Sequence, residues 1–526
     1  MKKLLTASLI TALLLTSVSA NESRVYKPTP KSIVINDILK GPLGTYKFFH
    51  GMPTKETAKI AYDNLYLLRA IDVFLNFQSA VSIEAIKRGH EELAGKGSNK
   101  IIVFDDLMDS KPLFLTGNTD TVYALAMLDL QKDGPTVIEI PKGAGPGTLD
   151  DAFQRFVIDM GAPGPDRAKG GTYIILPPDY KGELKPTPNT LKDNHQATIT
   201  LANGKKIKAW IAKSPSYVNW LILRGFLVDG KPDAASKMWR EGLKVYPLSK
   251  ALNPPKMVYV NGSNKTFNTI LPTDMSFYSY LDAVIQKEPI EFIDPELRGQ
   301  AAAIGIAKGE KFAPDAQQKK LLEQALAVGN ATSRALAFRP KDPRAKIFPD
   351  REWYLAFVGK DNRWLGGDGK KGRDLDVRTA FFYIGTVNTP AMAIEIPGVG
   401  SNYGMAFTDK NGDILDGSKN YKLHLPANVP AKQFWSVVLY DTMTRSQIQT
   451  SQPFPSINSN RDKDKLLYNK DGSIDLYFGP KSPKGKEANW VQTVPNKAWF
   501  TVLRLYGPLQ PWFDQTWKPG DIELVK

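Results

Sequence analysis

Eight polar side chains stand in stretches that otherwise look built for burial. Three lie in TGNTDTVYALAMLDL, Thr116 to Leu130, where Asn118, Asp120 and Tyr123 enter an apolar run. Arg224 is the lone cation of NWLILRGF, Arg378 opens RTAFFYIG, Asn402 and Tyr403 occupy a turn in GVGSNYGM, and Asp441 ends FWSVVLYD. Polar groups facing an apolar interior are costly unless something satisfies them. Asp, Tyr and Arg together could do hydrolase or lyase chemistry, in which a carboxyl or phenol moves a proton and a guanidinium holds negative charge. Asp120, Tyr123 and Arg224 are therefore the candidate catalytic residues, and Asn118, Arg378, Asn402, Tyr403 and Asp441 the candidate ligand contacts.

Each also has a structural reading. A carboxylate at a strand entrance can lock a turn by accepting from backbone amides. If the strand begins at Val122, alternation puts Asp120 and Val122 on one face and Thr121 and Tyr123 on the other, which separates Asp120 from Tyr123 unless a bulge intervenes. Arg224 requires an anionic or hydrogen-bonding partner, which could be Asp120, Glu139 or neither. Trp364, Trp435, Trp490 and Trp512 could stack on sugars, although packing inside the fold is their usual place.

The elements that must position these groups are mostly strands. Residues 58–93 recur at helical spacing with almost no glycine and read as one long helix or two in sequence, closed by Gly95 and Gly97. NKIIVFDDL, DTVYALAMLDL, PTVIEIP, KGGTYIILPP, ATITLANG and KIKAWIA then read as short strands separated by turn residues. Residues 231–338 turn mostly helical, and the last third returns to strands in RTAFFYIGTV, PAMAIEIP, YGMAFTD, YKLHLP, FWSVVLYD, LLYN, SIDLYFGP and WFTVLRLYGP. Asp471-Gly472 and Asn411-Gly412 mark turns between alternating runs. PTVIEIP and PAMAIEIP echo each other across the halves. The expected fold class is mixed and mainly β: two antiparallel jelly-roll or β-sandwich-like domains, an N-terminal helical segment and a helical middle. The expected divisions are a leader at 1–20, a linker and helical segment at 21–100, β domains at 101–230 and 346–526, and a helical region at 231–345.

The leader reading rests on MKK, an apolar LLTASLITALLLT and an SVSA end with small residues at Val18 and Ala20, the pattern of an export signal too short to serve as a good permanent span. The mature chain should start near Asn21 in the periplasm or outside the cell. With 526 residues, 42% hydrophobic and 23% charged, the chain is long enough for more than one core. It has no cysteine, which excludes disulfides, thiolate zinc sites and cysteine nucleophiles. The formal charge of +15, or +13 without Lys2 and Lys3, is scattered and forms no phosphate-tracking stripe, so nucleic acid is not an expected partner.

Familiar motifs fail on inspection. There is no G-x-S-x-G elbow and no G-x-x-x-x-G-K-[ST] loop. GDGKKG, Gly367 to Gly372, matches a dinucleotide fingerprint but follows no apolar strand and opens no apolar helix, and reads as a charged loop. DKNGD, Asp409 to Asp413, has the alternate spacing of a calcium loop, yet Ile414 and Asn420 stand where that loop needs Gly and Glu, so a turn is expected. No metal and no cofactor are expected.

GAPGPDRAKGGTYIILPPDYKGE, IGIAKGEKFAPD, DGSKNYKLHLPANVPAKQFWSVVLYDTMT, LLYNKDGSIDLYFGP and NWVQTVP occur in that order. Together they resemble a bacterial envelope family built from domain of unknown function 1254 followed by domain of unknown function 1214. The resemblance implies an exported, two-domain, β-rich protein with jelly-roll-like modules and a helical middle, with homo-oligomers among its expected states, and it implies no settled activity. Two functions remain open: a hydrolase or lyase acting on a polar polymer or carbohydrate in an interdomain cleft, and a non-catalytic carbohydrate-binding or scaffolding protein. A polar small molecule or a polysaccharide is the expected partner.

Overall fold

The computed structural model describes residues 29–189, 193–367 and 369–525; the expected leader and the start of the linker lie outside them. The chain divides into two units after Leu65. In the first, strands Ile38–Gly41, Gly44–Phe49 and Met52–Pro53 form a three-stranded sheet. The helix Lys55–Asn76 then begins, with Thr54 Oγ1 accepting from the Thr57 amide at 3.2 Å.

The second unit holds both β domains. The helical run near its start is two helices, Lys55–Asn76 and Gln78–Ala94, broken at Phe77 and ended by Gly95 at φ +84°. A six-stranded sheet follows, in the order Val258–Asn261, Lys100–Val103, Thr121–Asp129, Val218–Phe226, Pro146–Asp151 and Phe156–Gly161. A five-stranded sheet runs Ala197–Thr200, Lys206–Lys213, Gly171–Leu176, Thr136–Ile140 and Lys244–Pro247. Val122, Ala124, Ala126 and Leu128 join Ile138, Tyr173 and Ile175 in the core shared by these two sheets. The alternate residues Tyr123, Leu125 and Met127, with Trp220 and Ile222, pack instead with Phe74, Phe77, Phe277 and Leu322 of the helices. The central strands are thus buried on both faces, which is why they read as unbroken apolar runs.

The stretch after Lys231 supplies helices Asp233–Gly242, Ser276–Lys287, Pro295–Ala303 and Ala316–Phe338, the last with a capping box at Asp315 and Gln318. It also contributes Lys244–Pro247 and Val258–Asn261, one edge strand to each of the two sheets.

The C-terminal domain pairs a five-stranded sheet, Tyr354–Leu355, Ser401–Ala406, Trp499–Pro508, Ala431–Asp441 and Ser456–Asn458, with a four-stranded one, Trp490–Gln492, Ile474–Gly479, Asn420–Leu425 and Ile522–Val525. Trp353, Leu423, Val437, Leu476, Trp499 and Leu503 are among their shared core. The architecture is mixed and mainly β, and most pairings are antiparallel. Three pairs are parallel: Lys206–Lys213 with Gly171–Leu176, Val258–Asn261 with Lys100–Val103, and Ile474–Gly479 with Trp490–Gln492.

Two expected strands are not strands. RTAFFYIG lies in the helix Leu375–Ile384, capped by Asp374, whose Phe381 and Phe382 pack with Phe357 and Trp364. An element buried on several sides loses the alternation that separates strand from helix, and its aromatic content misleads. PAMAIEIP forms one helical turn, Pro390–Ala393, and then a loop that exposes Ile394 and Ile396, so its echo of the true strand Thr136–Ile140 is not structural. LLYN makes one isolated bridge, Tyr468 to Ile474. The two glycine turns do form: Gly412 and Gly472 have φ +82° and +83°, and Asp409 Oδ1 accepts from the amides of Asn411 and Asp413 at 2.8 and 3.0 Å. The calcium-like spacing is that turn.

Candidate interdomain site

Asp120 is fully buried and lies just before the strand Thr121–Asp129, in a loop folded on Asn118. Asn118 Oδ1 accepts from the Asp120 amide at 3.0 Å and from Thr121 Oγ1 at 3.2 Å. The Asp120 carboxylate is surrounded by donors. Its Oδ2 accepts from Ser436 Oγ at 2.6 Å and Tyr506 OH at 2.8 Å, and its Oδ1 from Asn458 Nδ2 at 2.9 Å and Thr119 Oγ1 at 3.3 Å. Three of these donors belong to C-terminal strands, so the carboxylate joins the two β domains.

Neighbouring bonds hold the same loop. Arg504 Nη2 donates to the Thr116 carbonyl at 2.8 Å, Tyr440 OH to the Gly117 carbonyl at 2.7 Å, and Arg461 Nη1 to Thr119 Oγ1 at 3.3 Å. Burial and then the Asp120 charge hold the Tyr506 phenol well above its usual range, so it stays protonated and donates. Arg504 is buried, which works against its charge; the phenols of Tyr440 and Tyr506 and the Asp120 carboxylate more than offset this.

Beside this junction is a cavity of about 60 Å³, lined by Asn118, Tyr123, Arg224, Tyr403 and Arg504 among apolar groups including Phe114, Phe357 and Phe381. That volume holds a few waters or the head of a small ligand. Arg224 keeps part of its surface open while lining this space, with its guanidinium 5.6 Å from the centre of the Tyr123 ring. No carboxylate of the described residues forms an ion pair with it. Asp120 is engaged as above, and Glu139 accepts from Lys244 Nζ at 2.8 Å and Tyr246 OH at 2.6 Å, so neither of the two suggested partners serves Arg224. Burial opposes its charge and the phenol oxygens of Tyr123 and Tyr403 offset that, leaving a guanidinium that stays protonated.

The nearest acids come from the hairpin Pro146–Asp151 and Phe156–Gly161. Thr148 sits opposite Ile222 and Asp159, and Asp150 opposite Trp220, which places these groups on the sheet face that carries Arg224 and Tyr123. Asp159 accepts from Thr389 Oγ1 at 2.6 Å; burial raises its pKa to about 6, and the bonds from Thr389 and Thr148 and the Arg224 charge limit the rise. Asp150 is fully buried; its Oδ2 accepts from the Asn388 amide at 2.9 Å and its Oδ1 has no partner, so burial pushes it well above the carboxylate range.

The fold therefore brings Asn118, Tyr123, Arg224 and Tyr403 to one cavity, with Asp120 beside it. Among the described residues Asp120 and Tyr123 are joined only through Asn118, whose Oδ1 accepts from the Asp120 amide and whose own amide donates to Tyr123 OH at 3.4 Å. Three expected contacts lie elsewhere. Asn402 Oδ1 accepts from Trp512 Nε1 at 2.9 Å and secures the C-terminal core. Asp441 holds a turn, accepting from the Met443 amide at 2.7 Å and Lys497 Nζ at 2.6 Å. Arg378 lines a separate cleft. Of the four tryptophans, Trp364, Trp435 and Trp512 are buried and Trp490 donates to the Gly479 carbonyl at 3.0 Å. Sequence reasoning missed Asp150, Asp159 and Arg504, although Arg504 in FTVLRLYG has the same signal as Arg224, one cation inside an apolar strand.

Two outcomes follow from these bonds. Asp120→Asn removes an acceptor from the Ser436 and Tyr506 hydroxyls and should lower unfolding stability by on the order of 2–4 kcal/mol, read as a shifted urea midpoint. Asp159 has a folded pKa above its unfolded value, so the native state binds the extra proton and stability falls as pH rises from about 4 to about 6. Relative to Asp159→Asn, the native protein should lose roughly 2–3 kcal/mol across that window and no more above it, measured by denaturation at each pH.

Residues 98–247 match the family described as "Protein of unknown function (DUF1254)", and residues 400–510 match "Protein of unknown function (DUF1214)". No curated protein matches the sequence. Among solved structures, the VPA0106 protein from Vibrio parahaemolyticus is 18% identical at a TM-score of 0.51, over 88% of this chain and 100% of that one, a likeness of fold alone. An uncharacterized protein from Burkholderia cenocepacia is 12% identical at a TM-score of 0.35, over 89% of this chain and 97% of that one. The chain belongs to the two-domain family in which a DUF1254 domain precedes a DUF1214 domain.

Proposed function

We propose that this is an exported envelope protein that binds a small, partly apolar anion in the cavity between its two β domains. The observation that carries the reading is Arg224, a cation without a carboxylate partner among the described residues, lining an aromatic-walled space. Arg224 is half-buried and has no acidic partner among the described residues, and an anionic ligand would supply one. Asn118, Tyr123 and Tyr403 would orient that ligand, and Arg504 would keep the surrounding potential positive.

A hydrolase- or lyase-type reaction is the second reading. Asp120 gives it little, because four donors already occupy the carboxylate. Asp159 supports it better, since a carboxyl with a pKa of about 6 is suited to taking and returning a proton near neutral pH. A cavity of about 60 Å³ favours a small molecule or the end of a chain over a bound polysaccharide. The four tryptophans give carbohydrate scaffolding little support: Trp364, Trp435 and Trp512 are buried, and the half-buried Trp490 donates to the Gly479 carbonyl.

A panel of small carboxylates with aromatic or aliphatic tails tests the binding reading by thermal unfolding. A true ligand at about 100 times its Kd should stabilise the protein by roughly 2.7 kcal/mol, and Arg224→Met should remove that gain. If no panel member stabilises the native protein, or if every member that does stabilises Arg224→Met equally, the reading is wrong. Export is tested by N-terminal sequencing of the protein from its native envelope fraction: a start near Asn21 is expected, and a start at Met1 refutes cleavage of the leader.

A further inference from the structure

A second cleft, of about 460 Å³, shares no lining residue with the interdomain cavity. It is bounded by the start of the helix Gln78–Ala94, the turn around Arg155, the segment 293–297 and the helix Leu375–Ile384. Among the described residues four arginines line it, Arg155, Arg363, Arg373 and Arg378, against one carboxylate, Asp294, whose Oδ1 already caps a helix by accepting from the Leu297 amide at 2.9 Å. Arg155 and Arg363 have acidic partners in Asp151 and Asp361. Arg373 and Arg378 have no ion pair among the described residues.

Arg378 is the more telling of the two. It is only 7% exposed, and among the described residues its guanidinium has one hydrogen bond, Nη2 to Asn76 Oδ1 at 2.5 Å. Burial, and then the neighbouring Arg373 charge, lower its pKa to about 10. A guanidinium carries five N–H donors, so most of its capacity is unused.

The walls of the cleft hold further donors without a partner among the described residues. Ser79 Oγ, Gln154 Nε2, Arg155 Nη2 and Trp364 Nε1 are all buried without a partner, and all belong to lining residues. One idle acceptor, Asn388 Oδ1, stands among them. Buried donors are nearly always satisfied, so a concentration of orphans in one cleft requires an explanation. Donors outnumber acceptors, positive charge exceeds negative, and Phe153, Phe156 and Phe382 supply apolar wall. Water could satisfy single donors, and the Asp294 carboxylate offsets only part of what burial and the Arg373 charge do to Arg378.

We infer that this cleft is a binding site for an organic oxyanion, a small molecule with a carboxylate or phosphate head held by Arg378 and Arg373 and an apolar body against the phenylalanines. Both head groups accept the planar, two-pronged donation of a guanidinium. The site is independent of the interdomain cavity and does not rest on the reading given to it.

The test uses the full mature protein with three probes, phenylacetate, phenyl phosphate and inorganic phosphate, followed by calorimetry at constant ionic strength. At least one of the two organic probes should bind, and Arg378→Gln should weaken that binding roughly tenfold or more, as loss of a charged bidentate contact does. Arg373→Gln should weaken it as well, which keeps the test decisive if Arg378→Gln folds poorly. Arg224→Met should bind the same probe as the native protein does, which separates this cleft from the interdomain cavity. A preference between phenylacetate and phenyl phosphate would identify the head group. Failure of every probe to bind the native protein, binding by inorganic phosphate alone, or unchanged affinity in both arginine variants would each overturn the proposal. So would probe binding lost in Arg224→Met and retained in Arg378→Gln.

Discussion

Asp120 leaves the DUF1254 domain and is bonded by Ser436, Asn458 and Tyr506 of the DUF1214 region and its flanking strands. Three adjacent bonds, from Arg504, Tyr440 and Arg461, fix the loop that presents it. Such a junction is specific in a way that apolar contact is not. Apolar contact is non-directional, whereas a buried carboxylate is satisfied only where its donors meet it. The chain has no disulfide to fix the two β domains, and this polar knot supplies the constraint that a covalent link would otherwise provide.

That junction also governs the cavity. By fixing Asn118 and the start of the strand Thr121–Asp129, it sets the position of Tyr123 and, across the strand pair, of Arg224. Tyr403 and Arg504 approach from neighbouring strands of the C-terminal sheet, where they are directly paired. Asp120 is thus a positioning group for the residues that face the space, and its own oxygens are fully engaged. Arg224 faces the space, and Asp159, on the same sheet face, has its pKa raised to about 6 by burial opposed by two hydroxyls and one guanidinium.

Much of this was legible in the sequence. Alternation in DTVYALAMLDL correctly divided Val122 from Tyr123, because that strand packs different partners on its two faces. The glycine turns at Gly412 and Gly472 were legible because a positive φ is a local demand that few residues meet. The lone cation in NWLILRGF marked Arg224, since a charge inside an apolar strand always demands an account. What stayed hidden was whatever depends on distant pairing. The donors on Asp120 lie 316 to 386 residues away along the chain, apart from Thr119, and no local pattern announces them. Asn402 and Asp441 looked like ligand contacts for the same reason: their partners, Trp512 and Lys497, are far away in sequence.

The misread helix shows how a period decides a function. As a strand, RTAFFYIG would place Arg378, Phe382 and Ile384 on one face and Phe381 on the other. As the helix Leu375–Ile384, it puts Arg378 and Phe382 one turn apart on the wall of the larger cleft, while Phe381 and Ile384 line the interdomain cavity. One element therefore separates an aromatic-walled space beside Arg224 from a donor-rich one beside Arg378. The strand reading merged the two arginines into a single imagined crevice. The helical period divides them, and with them the two sets of groups that still lack partners.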